Sequence, residues 1–140
     1  MENINKEKYQ DLGLLIFRIT VSCFMIGNHG LPKLLRLFGN EPITFYPFLG
    51  LSPNISLSLA VFAEFICAIA VIVGFYTRFA SVFLFVTMFV AAFVVNVGKP
   101  FSDRELALLY MVSYLTLIFT DARRYSLNEF LKKVGRSAKI

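Results

Sequence analysis

ISLSLAVFAEFICAIAVIVGFYT, residues 55–77, decides what kind of protein this is. The run meets the ~20 apolar residues an α-helix needs to cross the hydrocarbon of a bilayer. It carries one ionisable side chain near its middle, Glu64. A charge at the centre of a membrane helix costs on the order of 3 kcal/mol on insertion scales, so such a group faces inward and is neutralised, paired or used. The run sets the fold class, and its exception sets the functional question.

The rest of the chain extends that reading. Of 140 residues 57% are hydrophobic, 16 are Phe, and the mean hydropathy is +0.68, against roughly half apolar in an ordinary soluble domain. Further apolar runs at residues 12–31, 79–97 and 103–120 join the one at 55–77. The expected fold is all-α: a four-transmembrane-helix bundle forming a single membrane domain, 1–140, with no room for a separate soluble domain.

Met1 to Gln10 reads as a short polar lead, flexible or interfacial, with Asp11 positioned to cap the first span. Asn28, His29, Gly30 and Pro32 read as the end of that span. Gly39, Pro42, Pro47, Gly50 and Pro53 break up the stretch 38–53. Its Phe45, Tyr46 and Phe48 place it at the membrane interface or folded back over the bundle. A tight turn at Gly74 to Arg78 makes the second and third spans antiparallel neighbours. The tail 126–140 sets Leu127, Phe130, Leu131 and Val134 against Lys132, Lys133 and Arg136, the pattern of a short amphipathic C-terminal helix on an anionic lipid surface.

Orientation follows from the cations. The side holding both termini and the Arg78 turn carries nine Lys and Arg, counting Lys139, and the opposite side carries four: Lys33, Arg36, Lys99 and Arg104. The positive-inside rule puts both termini in the cytoplasm. The basic balance reflects topology and gives no reason to invoke nucleic acid.

At ~1.5 Å of rise per residue, Arg18 lies roughly 9 Å from the cytoplasmic boundary and Glu64 roughly 18 Å. An ion pair between them is one reading of Glu64. The other is a site: His29, Asn96 and Glu105 come near the outer end of the bundle with Lys33, Lys99 and Arg104, and Tyr110 follows Glu105 on the last span. A single His and no clustered Cys exclude a His- or Cys-rich metal centre. Cys23 and Cys67 read as small buried hydrophobes. No Ser-His-Asp set, phosphate loop, haem ligand pair, flavin fingerprint or iron-sulfur motif is present in the sequence.

Arg18, His29-Gly30-Leu31-Pro32-Lys33, Ala63-Glu64-Phe65, Gly74-Phe75-Tyr76-Thr77-Arg78, Val97-Gly98-Lys99-Pro100-Phe101 and Glu105-Leu106-Ala107-Leu108-Leu109-Tyr110 occur in this order between Leu12 and Asn128. Together they resemble the DoxX family of small bacterial membrane proteins. Asn96 departs from the His expected in many relatives, and an amide cannot titrate. The resemblance implies a multi-pass protein of the bacterial inner membrane. The family is named for a relation to a membrane subunit of a thiosulfate:quinone oxidoreductase, and some relatives are linked to thiol redox balance.

Two functions follow as expectations. In one, the chain is a quinone- or thiol-redox-linked membrane subunit: a quinone sits between helices, His29 or Lys33 holds its carbonyl, Glu64 exchanges the proton, and a membrane redox partner supplies electrons. In the other, it is a non-enzymatic assembly or chaperone-like partner, or a small-solute carrier, acting in the bilayer alone, as a homo-oligomer or with a partner helix. Whether it is an enzyme stays open at this point.

Overall fold

The structure, a computed structural model, describes residues 2–137, with side chains from Asn5 to Arg136; Lys139 of the charge count lies outside the described residues. All regular elements among them are helical.

Helix α1, Glu2–Met25, runs through a widened π turn at Ile26–Gly30 into α2, Leu31–Leu37. Three expectations are corrected here. The polar lead is helical from Glu2, because the chain before Gly13 has neither Gly nor Pro and is rich in the helix formers Glu, Lys and Gln. Asp11 is therefore interior to the helix, where it pairs with Arg123 at 3.3 Å, and does not cap it. Nor does Pro32 end the rod. Proline lacks an N–H, and its ring collides with the carbonyl four residues back in a regular helix. The widened turn avoids this: Leu31 N–H donates to Ile26 O, five residues back, and Pro32 enters in the first turn of α2, where a missing donor does no harm.

Residues 38–52 form the expected irregular connection, with one 3₁₀ turn at Phe48–Gly50. Ser52 Oγ accepts from Ile55 N–H and Pro53 opens α3, Pro53–Val61. A second π turn, Phe62–Cys67, leads into α4, Ala68–Val73. Gly74, at φ 75°, takes the left-handed conformation that a helix C-terminus favours in glycine, and α5, Thr77–Val90, starts at once. A third π turn, Ala91–Val95, closes with Asn96 N–H on Ala91 O at 3.1 Å. After the Gly98 turn come α6, Phe101–Thr120, and α7, Leu127–Ser137.

Three of these rods, Asn5–Leu37, Pro53–Val73 and Thr77–Val95, are long and apolar enough to cross a membrane. Helix α6 has 20 residues, with Asp103, Arg104 and Glu105 in its opening turns. The rods lie side by side: α1 on α4, α2 on α3, α5 on the α3–α4 rod, and α6 along α5. Met25, Ala68, Val71, Leu84, Tyr114 and Leu117 are fully buried between them. Phe24, Phe79 and Phe119 are exposed on the outside, where apolar side chains meet lipid. Cys67 is buried as expected, but Cys23 is exposed. Its position on α1 turns it outward, away from the bundle.

The first two rods cross closest at Gly30. A Cβ there would lie 2.5 Å from the backbone oxygen of Glu64, whereas one on Gly27 meets nothing within 4 Å. Overpacking a tight contact costs typically ~1–3 kcal/mol. Gly30→Ala is thus expected to lower the thermal midpoint of the detergent-solubilised protein clearly, while Gly27→Ala leaves it nearly unchanged.

Candidate functional site

Glu64 lies in the second π turn and is 1% exposed. Its carboxylate does not meet Arg18. Both of its oxygens accept from Lys33 Nζ, and the ammonium also stands 5.9 Å from the centre of the Phe45 ring. A buried carboxylate needs a charged, hydrogen-bonded partner, and α2 supplies it because the helix continues beyond Pro32.

The Arg18 to Glu64 pair fails on depth. Arg18 lies beside Gly74 at the end of α4, its Nη1 2.9 Å from where a Gly74 Cβ would be. Glu64 is ten residues before Gly74 in the same rod, about 15 Å away along it. Lys33 starts about 22 Å beyond Arg18, and side chains on a helix lean back toward its N-terminus, which brings the ammonium down to Glu64. The depth estimate fails because Arg18 packs beside Gly74, so α1 is staggered along the second rod relative to that estimate.

Arg18 is 2% exposed and donates to Ala122 O at 3.1 Å and to Tyr125 O. These carbonyls lie just past the C-terminus of α6, and Gly74 marks that of α4. Helix C-termini carry partial negative charge, so the guanidinium is held by two of them and ties the segment after α6 to the first rod. Asn128 N–H on Gly74 O at 3.4 Å and the Arg78 to Asp121 pair at 3.3 Å complete this end.

Of the other sequence candidates, His29 is half-buried in the first π turn, within reach of the charges of Glu64 and Lys33. Its ring meets Tyr110 edge-on at 5.5 Å. Lys33, Glu64, His29 and Tyr110 therefore form one neighbourhood. Asn96 is half-buried at the turn before α6, and Glu105 is exposed in the opening turns of that helix. Asn96 accepts from Lys99 Nζ at 2.8 Å and reaches Asp103 O at 3.5 Å, closing the turn before α6.

The Lys33 to Glu64 pair forms the polar end of a cavity of about 410 Å³. Its walls are Leu59, Ala60, Val86, Val90, Ala91 and Val95, and its cover is the 44–48 stretch. Arg36 Nη2 holds that cover by donating to Thr44 O at 2.7 Å, and Phe48 N–H donates to Ser56 Oγ at 3.0 Å. Leu59, Val86 and Val95 are exposed at this cavity, which is open toward the surface of the bundle. Sequence reading missed these wall residues, since valines on a membrane helix carry no mark of their own. The aromatic cover was signalled by Phe45, Tyr46 and Phe48 between breakers.

Comparison with known proteins adds three findings. The family profile described as DoxX matches residues 13–97, which ends before α6. A relative from Haemophilus influenzae, described as an uncharacterized protein, is 35% identical over 137 residues, covering 92% of this chain and 98% of its own length. No solved structure matches the chain.

Removing one partner of a buried pair costs about 3–5 kcal/mol because the other charge is left uncompensated. Lys33→Met and Glu64→Gln are expected to be strongly non-additive in a double-mutant unfolding cycle. Arg18→Leu and Glu64→Gln should add to within ~0.5 kcal/mol, as separated sites do.

Proposed function

The chain belongs to the DoxX family, and we propose that it is a multi-pass protein of the bacterial inner membrane that binds a lipophilic molecule with an oxygen-bearing head, of the quinone class. The observation that carries this reading is the placement of a single charged pair in a cavity whose lining is mostly apolar, with the hydroxyls of Thr44, Ser56 and Thr87 among its other polar groups. Small-molecule sites are built in this way: apolar walls hold the body, and a few convergent polar groups fix the head.

The chemistry fits a quinone on three counts. Lys33 supplies a charged N–H donor to a carbonyl oxygen. Glu64 accepts from a hydroxyl and exchanges a proton with it. The opening toward the surface of the bundle lets an aliphatic tail stay in the bilayer. Electrons come from a membrane partner, so the redox step is shared. In this reading the Lys33 to Glu64 bond is a resting contact, which a ligand head divides between its own carbonyl and hydroxyl.

The proposed topology has four crossings with α6 as the fourth and both termini in the cytoplasm. Helix α6 runs along α5 with the length of a span. The charges of Asp103 to Glu105 fall at one end of it, and the excess of Lys and Arg lies on the side of the termini. With this topology, a membrane-impermeant thiol reagent added to intact cells should label a cysteine placed at Gly98 and not one placed at Ser126, in a Cys23→Ser background.

Titration of the purified protein with a short-chain ubiquinone analogue tests the binding reading. Saturable binding is expected. Loss of a hydrogen bond to a charged group is worth ~1.5–3 kcal/mol, so Lys33→Met and Glu64→Gln should each weaken binding roughly tenfold or more, while Asn96→Ala should not. Absence of saturable binding in the parent protein removes the reading.

A further inference from the structure

The serines and threonines of this bundle fall into two groups that behave differently. Ser58, Thr116 and Thr120, which are exposed, and Thr87 and Ser113, which are half-buried, each donate to the carbonyl four residues back in their own helix, at 2.8–2.9 Å. That is the usual way for a hydroxyl to satisfy itself in a membrane helix. Ser22, Thr77 and Ser81 are at most 1% exposed, and no protein group completes the hydrogen bonds of Thr77 and Ser81. The hydroxyl of Tyr114, on a fully buried side chain, lies within hydrogen-bonding reach of that of Ser22, and each of the two keeps capacity for a further partner.

Helical periodicity collects these groups. Ser22 follows Arg18 by four residues, Ser81 follows Thr77 by four, and Tyr114 follows Tyr110 by four, so each pair shares one face of its helix. Measured from the Gly74 end, Arg18 and Thr77 come first, Ser22 and Ser81 about 6 Å further, Tyr114 about 9 Å, and Tyr110, His29 and Glu64 about 15 Å. The rings continue the series: Tyr114 stacks on Tyr110 at 6.4 Å, and Tyr110 meets His29. His29 Nε2 is a further buried polar atom with no hydrogen-bond partner.

Buried polar groups that no protein atom satisfies are characteristically satisfied by internal water, each water taking about three hydrogen bonds. We propose that Ser22, Thr77, Ser81 and Tyr114 enclose a file of bound water inside the bundle, leading from the Arg18 end toward His29 and Glu64. Hydroxyls that turn away from their own helix carbonyls face this file. A proton crosses it when each oxygen takes one proton as it releases another to its neighbour. No hydroxyl changes charge, and only Glu64 gains the proton at the end. The hydration stands on the hydroxyls alone; its use for Glu64 rests on the ligand-binding reading above.

Hydroxyl-radical labelling by microsecond X-ray exposure of the full chain in nanodiscs, in ¹⁸O water and without added quinone, tests the file. Radicals formed from bound water mark the residues beside it. Tyr114 should be oxidised several-fold faster than the equally buried Leu84 and Leu117 after correction for intrinsic reactivity. Ser22→Ala with Ser81→Ala, which removes two of the water's partners at little change in volume, should cut that rate several-fold and leave exposed Tyr46 unchanged. A parent protein in which Tyr114 is not labelled above the two leucines overturns the proposal, as does a double variant labelled like the parent. Because no ligand is present, failure here is distinct from failure of quinone binding.

Discussion

A carboxylate buried in the membrane-spanning part of a bundle has to be met by a cation, and in this protein Lys33 meets Glu64. Much of the local architecture serves that contact. The ammonium can descend to Glu64 only if the first rod continues past Pro32, and Pro32 is accommodated by the widened turn at Ile26–Gly30. The same turn puts Gly30 against the backbone of Glu64 with no room for a side chain. The pair also lies at a boundary: Glu64 is enclosed, while the Lys33 side chain is 26% exposed and faces the aromatic cover. π turns are rare in helices and are often found at functional sites. Here they carry His29 and Glu64, and a third adds Ala91 and Val95 to the cavity wall.

Arg18 and Lys33 have separate duties. Arg18 spans two helix C-termini and binds carbonyl groups, which no ligand-dependent charge needs to balance. It fastens the start of α7 to the bundle and leaves Glu64 to Lys33. Helix α7 in turn presents Phe130, Leu131 and Val134 outward beside Lys132 and Lys133, a composition suited to the bilayer surface. In its first turns Lys132 holds the Glu129 carboxyl below its usual range. One end of the protein is thus a closed clamp, and the other holds the cavity.

Much of this was legible in the sequence. Glu64 stands out in any hydropathy reading, the Gly74 turn follows from a glycine between two apolar runs, and the aromatic stretch over the bundle follows from its breakers. The choice of partner for Glu64 was not legible. Depth was inferred from the point where polarity gives way to apolar residues, which does not report how two rods are staggered. Arg18 packs beside Gly74, and that stagger exchanges Arg18 for Lys33. Pro32 was a misleading stop signal, since a π turn is a backbone adjustment with no sequence mark. Asn96 closes the turn before α6, and Glu105 stands exposed in the opening turns of that helix. Cys23 shows a further limit, since an apolar position in a span says nothing of whether it faces core or lipid.

The central claim is that the cavity closed by Lys33 and Glu64 holds a lipophilic molecule with a polar head. Native mass spectrometry of the protein released from its own membranes in mild detergent addresses this directly. The account predicts a stoichiometric lipophilic adduct on the parent protein, of a mass that matches a membrane quinone, and its loss in Lys33→Met and Glu64→Gln but not in Arg18→Lys. A parent protein that flies without any adduct, or an adduct that survives both substitutions, would contradict it.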